Sequence, residues 1–395
     1  MKVESIRLKN FKTFQNVTLE KIQPYTVFVG ANGVGKTTLF DVFGFLRDCL
    51  RDNVRPTLAK RGGFKEVVSR GHEHEEIEIE LKLKMELPIG WRTVTYIVCI
   101  ENSAQGPVVS REILRYRRFG NTGAPFEFIR FKYGQGDAIT NEGDFERGVA
   151  EVREVQKLES SDILAIKGLG QFQRFEAASR FRSLIENWHV SDFHIGAARG
   201  SQDAGYAEHL SAQGENLPLV TQFLYENHRN EFDKVLKAMS RRVPGVTNVE
   251  AQVTQDGRVI LKFSDGSFKD PFVSRYVSDG TIKMFAYLVL LYDPKPHPLL
   301  CVEEPENQLY PSLLGELSEE FSAYAERGGQ VFVSTHSPDF LNHVKLENIF
   351  ILAKKDGFTS VRKASDDENL VALINEGDLP GALWRQRLFE GADPL

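Results

Sequence analysis

Eight positions constrain this chain more than any others. Gly30, Gly35, Lys36 and Thr37 fill the pattern G-x-x-x-x-G-K-[ST] within "GANGVGKTTLF". An apolar run, Tyr25 to Val29, precedes them, and Leu39, Phe43, Leu46 and Leu50 follow at helical spacing. The pattern therefore reads as a strand, a glycine loop and a helix. That context turns a glycine-rich stretch into a phosphate cradle, because loop N–H groups and the helix N-terminus then converge on one anion. Gly30, Gly33 and Gly35 let the backbone approach without a Cβ in the way. Asn32 belongs to the same loop, Lys36 would reach the β- and γ-phosphates, and Thr37 would ligate Mg²⁺. The N–H groups from Gly33 to Thr38 would wrap the β-phosphate. ATP with Mg²⁺ is the ligand pair this loop calls for.

A second strand ends in acid. In "PLLCVEEPENQLYP" the apolar run stops at Glu303 and Glu304. Beside a phosphate cradle this looks like a Walker B element. Glu303 would hold Mg²⁺ through water, and Glu304 would orient or deprotonate the attacking water. Glu303 stands where aspartate is usual. In "YVSDGTIKMFAYLVLL", Ser278 and Asp279 open a long apolar helix as N-cap residues. A hydroxyl, the Gly280 N–H and a helix N-terminus together also make an anion site. His336 ends the strand "QVFVSTH".

The order of these motifs is cradle, long intervening segment, Ser278 turn, carboxylate pair, histidine. An AAA+ machine would place its carboxylates soon after the cradle; ABC-type heads keep the order found here. The chain resembles the RecF/SMC-like ABC-type ATPases, and within them the ATPase domain of OLD-family proteins and related stand-alone ATPases of defence systems. "IRLKNFKTF" (6–14), "GANGVGKTT" (30–38), "VSDGT" (277–281), "EEPENQLYP" (303–311) and "STHSPDFL" (334–341) carry the resemblance. It implies an α/β fold, an ABC/RecF-type P-loop NTPase head with an inserted antiparallel β-subdomain and helical lobe. It also implies that Ser278 and Gly280 form a signature completing the site of a second copy, and that His336 is a switch contacting the γ-phosphate. The expected partner is thus the chain itself, in an ATP-dependent homodimer or higher oligomer. Two departures stand out: the signature is SDGT, and Tyr310 replaces a frequent histidine. A Q-loop glutamine cannot be assigned.

The expected division is 1–75 for the first half of the core, 76–265 for the insertion and 266–395 for the second half. "EEIEIELKLKMEL" alternates apolar and charged residues, as a half-buried strand does, and roughly 76–133 reads as an antiparallel sheet. Residues 142–188 and 216–241 read as helical, and Asp256-Gly257 marks a hairpin.

With 395 residues, 41% hydrophobic and 26% charged, the chain has the composition of a folded protein of two or three domain-sized units. Its net charge of −6 and lack of a basic block argue against strong general nucleic-acid binding, leaving weak DNA contact through a local patch. Cys49, Cys99 and Cys301 lie far apart among apolar residues, which suits reduced thiols rather than a disulfide or zinc framework. The charged N-terminus lacks a signal-peptide core, and the longest apolar stretch, Met284 to Tyr292, is too short to span a bilayer. A cytoplasmic location without membrane contact is expected.

OLD proteins carry a TOPRIM nuclease after the head. Only about 50 residues follow "STHSPDF" here, so the resemblance implies an effector, plausibly a nuclease, that is encoded nearby and acts in trans in anti-phage defence. A RecF-like repair clamp acting directly on DNA is the alternative. His72 and His74 in "GHEHEE" read as a solvated loop, and Arg199 as an exposed loop arginine. Trp384, Leu388 and Phe389 in the tail would pack on their own domain or dock a partner.

Overall fold

The computed structural model describes residues 2–87, 90–117, 125–146 and 148–392. A six-stranded sheet forms its centre. Its order is His189–Ser191, Leu300–Glu303, Val331–Thr335, Tyr25–Val29, Ile349–Lys355 and Phe358–Lys363. All neighbours run parallel except the last pair, a hairpin. The cradle strand Tyr25–Val29 thus lies between two strands drawn from the far end of the chain. All five of its residues are buried. A parallel strand covered on both faces must be apolar throughout, and this one shows the reason directly. Phe28, Cys301, Phe332 and Phe350 face one core. Val27, Val29, Val302, Val333 and Ile351 face the other.

The first core lies under an antiparallel sheet of eight strands, Lys2–Phe11 and Phe14–Leu19 followed by the strands from Ile77 to Lys157. The cradle helix Lys36–Asp52 fills the space between the two sheets. Phe40 and Phe43 are fully buried there, Phe40 edge-on to Phe28 at 5.8 Å and Phe43 against Phe332 at 5.6 Å. The second core is built around helix Asp279–Leu291. Every residue from Thr281 to Leu291 is buried, enclosed by helices Ile195–Ala198, Leu217–Asn227, Arg229–Arg242 and Ser312–Glu326. Truncating a leucine in such a helix costs about 2–5 kcal/mol.

Several expectations change. The boundary expected at 75/76 falls inside a sheet, since Lys2–Phe11 pairs with Ile77–Leu87 and sets Ile6 opposite Leu81. His189–Ser191, within the expected 76–265 insertion, is an edge strand of the central sheet. Residues 142–188 are not wholly helical: Arg153–Lys157 is the outer strand of the eight-stranded sheet. Its side chains are at most half-buried, so no period-2 apolar signal marks it. The three cysteines are buried and free. Among the described residues no helix is long and apolar enough to cross a membrane.

Candidate functional site

The cradle is built by glycine geometry and braced by two threonines. Gly33 and Gly35 take φ of 78° and 107°, the left-handed region that penalises a side chain. A Cβ on Gly35 would meet Thr359 Oγ1 at 2.7 Å and Thr13 Oγ1 at 2.8 Å; one on Gly30 would meet the Leu352 carbonyl at 2.5 Å. Thr359 Oγ1 lies 2.7 Å from the Val34 carbonyl and 2.8 Å from Thr13 Oγ1. Strand Phe358–Lys363 thereby holds the loop from outside. The tail joins in, with Ala31 N–H donating to the Ala392 carbonyl at 2.9 Å. Asn32, Gly33 and Thr37 are exposed at the loop surface, and Thr38 is partly so.

Lys36 is folded inward. Its Nζ donates to the Gly30 carbonyl at 2.7 Å and the Ala31 carbonyl at 3.2 Å. Burial lowers its pKa, against the pull of Glu304, Glu306 and Glu303. Thr37 Oγ1 donates to Glu303 Oε2 at 2.6 Å. Burial raises the pKa of Glu303, and the Thr37 hydrogen bond opposes it. A hydroxyl and a carboxylate side by side are hard oxygen donors of the kind Mg²⁺ prefers, so this pair fits the ion.

Glu304 stands at a bend. Its φ is 41°, rare for a residue with a side chain, and its N–H still donates to the Ser334 carbonyl at 2.9 Å. Asn307 Nδ2 donates to Glu304 Oε2 at 3.1 Å, and His336 Nδ1 lies 3.3 Å from Glu304 Oε1. The strand pairing that sets Glu303 beside Ser334 brings this histidine to the carboxylates. Glu306 joins the site only in the folded chain. Its Oε1 accepts from Thr335 Oγ1 at 2.7 Å and from the His336 N–H at 2.9 Å, and its Oε2 is buried without a partner. Glu306 thus fixes the backbone at the histidine. A third acid so close to the pair in "EEPEN" was the available signal.

Ser278 caps its helix, its Oγ accepting from Thr281 N at 3.3 Å and lying 2.7 Å from Thr281 Oγ1. Ser278 and Asp279 are exposed. Among the described residues no hydrogen bond or ion pair joins Ser278 or Gly280 to the Gly30–Thr38 loop of the same chain. The helix is tied instead to the loop after the carboxylates. Lys283 Nζ donates to the Asn307 carbonyl at 2.7 Å, and a Cβ on Gly280 would lie 3.0 Å from the Gln308 carbonyl. Burial pushes the Lys283 pKa down to about 8, against Glu306 and Glu304. Arg199 is not a free loop arginine. It pairs with Asp279 and donates to the Val277 carbonyl at 2.6 Å, clamping the turn that carries Ser278.

The remaining candidates resolve simply. His72 bonds Glu75 at 2.7 Å and Gln15 at 2.8 Å in a surface loop, and His74 is exposed. Trp384 and Phe389 are buried, with Trp384 Nε1 donating to the His336 carbonyl at 3.2 Å. The tail packs on its own domain beside the site.

Residues 111–342, more than half of the chain, match the family described as "AAA domain, putative AbiEii toxin, Type IV TA system". The chain belongs to this AAA-domain family. Residues 1–189 also match the family described as "AAA ATPase domain". No curated protein matches the sequence significantly. Among solved structures, the chain is similar to an SmcHead bound to the C-winged helix domain of ScpA. The TM-score is 0.51 at 14% identity, covering 92% of this chain and 98% of that one. It also matches the SMC head domain from Thermotoga maritima, with TM-score 0.47, 12% identity and coverage of 92% and 99%. At such identity the first likeness is one of fold, and it is the fold of an SMC-type head. The chain thus matches AAA-type ATPase domains and has the fold of an SMC-type head; AAA ATPase domains as a class bind ATP with Mg²⁺.

Proposed function

We propose that this head hydrolyses ATP between two copies of itself and uses the assembly to control a separate effector. The contact of Thr37 with Glu303, beside Glu304 and His336, carries the hydrolytic reading. ATP lies on the loop from Gly30 through Asn32, Gly33 and Gly35 to Thr38, where main-chain N–H groups receive the β-phosphate. Lys36 leaves the Gly30 and Ala31 carbonyls and moves to the β- and γ-phosphates. Thr37 and Glu303 would hold Mg²⁺, which would supply shielding of the phosphate charge. Glu304 takes a proton from the attacking water as the water oxygen bonds to the γ-phosphorus and the bond to the bridging oxygen breaks, giving ADP and phosphate. His336 faces the same γ-phosphate and shares its position with Glu304.

Ser278 and Gly280 are read as the half-site offered to the second copy. The exposure of Ser278 supports this, as does the lack, among the described residues, of any hydrogen bond or ion pair from either to its own cradle. Tyr276 and Tyr310, 72% and 73% exposed, flank that surface. The family description, with its toxin and toxin–antitoxin wording, supports a defence role akin to the OLD-like regulators. An SMC head bound to ScpA is a precedent for a head that carries a partner protein. The test is phosphate release by purified protein with ATP and Mg²⁺, followed by co-purification with products of adjacent genes. A cytoplasmic setting follows from this role. No phosphate release, or wild-type release by Glu304→Gln, would sink the hydrolytic reading.

The second reading, a clamp on DNA, rests on one feature. Lys82, Arg92, Arg115 and Arg117 surround an open cavity of about 570 Å³ on the eight-stranded sheet, with Trp91 at its rim. Such a patch would bind phosphate backbone with steep salt dependence. Tight, ATP-dependent DNA binding without a co-purifying neighbour would favour it.

A further inference from the structure

A second cluster of chemistry lies at the opposite end of the carboxylate strand from Glu303. His209, Asp293 and His297 each offer one ligand atom, and the three atoms lie within 4.8 Å of one another. They come from separate places. His209 belongs to the loop before helix Leu217–Asn227, Asp293 lies just past helix Asp279–Leu291, and His297 leads into strand Leu300–Glu303.

The orientation of His297 is the informative detail. Its Nδ1 faces the Asn187 carbonyl at 3.1 Å, an acceptor, so Nδ1 carries the proton. The lone pair then sits on Nε2, which is buried and has no hydrogen-bond partner. His297 is only 9% exposed, and a buried polar atom left without a partner is costly. One imidazole nitrogen fixed on a carbonyl, with the other free, is how metal-ligating histidines are commonly oriented. His209 Nδ1 lies 2.6 Å from Asp293 Oδ2, and the Asp293 side chain is 5% exposed. His189 stacks on His297 with ring centres 4.7 Å apart and fixes the ring from behind. His209 and His297 also line an open cavity of about 770 Å³, together with Asn187, Trp91 and Arg180.

We propose that His209, Asp293 and His297 form a binding site for a divalent transition metal of the zinc type, with its remaining position open to that cavity. Two imidazoles and one carboxylate suit Zn²⁺ or Co²⁺, whereas Mg²⁺ selects oxygen donors. The metal of this site is therefore distinct in kind from the one expected at Thr37 and Glu303. Ligand distances of about 2.0–2.2 Å require the three side chains to close by rotation. The bound ion pins the C-terminal end of the Ser278 helix to the start of the carboxylate strand. These are the ends remote from Ser278 and from Glu303.

The test uses the full chain, stripped with chelator and titrated without nucleotide. Calorimetry with Zn²⁺ alone should give one ion per chain. His209→Gln and His297→Gln should each weaken it by about tenfold or more. Thr37→Ala should bind Zn²⁺ as the wild type does, which separates this site from the cradle. Co²⁺ substitution should give the intense visible absorption of tetrahedral coordination, lost in both histidine variants. His209 is partly exposed, so His209→Gln tests the site even where His297→Gln does not fold. Failure of the wild type to bind Zn²⁺, or binding unchanged in His209→Gln, overturns the proposal.

Discussion

Thr37 Oγ1 lies 2.6 Å from Glu303 Oε2, although 266 positions separate them. One strand accounts for the meeting. Val331–Thr335 pairs in parallel with Tyr25–Val29 on one side and Leu300–Glu303 on the other, so both functional strands end at the same level. The ends of parallel strands gather loops at one edge, and that edge is where ligands of such sheets bind.

Lys36→Ala should abolish ATP binding. The ammonium is the one cation built into the loop, and its removal also leaves the Gly30 and Ala31 carbonyls without that donor. Calorimetric titration with ATP checks it, with circular dichroism to confirm the fold. Wild-type affinity in the variant would show that Gly30–Thr38 is not the binding loop.

Glu304→Gln should leave ATP binding intact and slow hydrolysis by roughly 10²–10⁴-fold, since an amide cannot accept the water's proton. ATP-bound dimers should accumulate on a sizing column. Normal turnover in Glu304→Gln together with a dead Glu303→Gln that still binds ATP would reverse the two roles.

Ser278→Arg should keep near-normal ATP affinity while losing both ATP-dependent association and turnover, because the exposed cap makes, among the described residues, no hydrogen bond or ion pair with its own loop. Mixing it with Lys36→Ala gives dimers with one doubly altered site and one intact site, so partial activity should return. Mixed dimers that form and stay inactive would count against sites completed by a second copy.

Glu112 gives a pH signature of stability. It is 1% exposed and accepts from the Ile166 N–H at 3.0 Å, the Tyr96 hydroxyl at 3.0 Å and the Ala165 N–H. Burial pushes its pKa from 4.5 up to about 7, against those three donors. The native state therefore keeps a proton that the unfolded chain has released. Its contribution is full below about pH 4.5 and is lost as pH rises through 7. Glu112→Gln should remove that slope and cost about 1–3 kcal/mol, because the amide nitrogen cannot accept. Urea midpoints at pH 5 and pH 8 for both proteins provide the measurement. Equal pH slopes in the two proteins would show that Glu112 does not titrate between them.

The sequence by itself determined what short-range chemistry determines. Glycines at positions requiring positive φ, a serine before an apolar helix and an aspartate–glycine turn each act within a few residues, so the loop at 30–38, the cap at Ser278 and the hairpin at 256–257 were legible. Motif order extended this to the kind of head. Tertiary structure alone decided which strands became neighbours. A run such as Tyr25–Val29 records burial on both faces, but burial does not name the partner. The same limit hid Arg153–Lys157, whose half-exposed side chains leave no period, and His189–Ser191, too short to show one. It hid Glu306, Arg199 and Thr359, polar residues whose roles exist only once the sheet brings His336, the Ser278 turn and the phosphate loop to them. Side-chain hydrogen bonds act over about 3 Å, and only the folded chain fixes which donors and acceptors come within that reach.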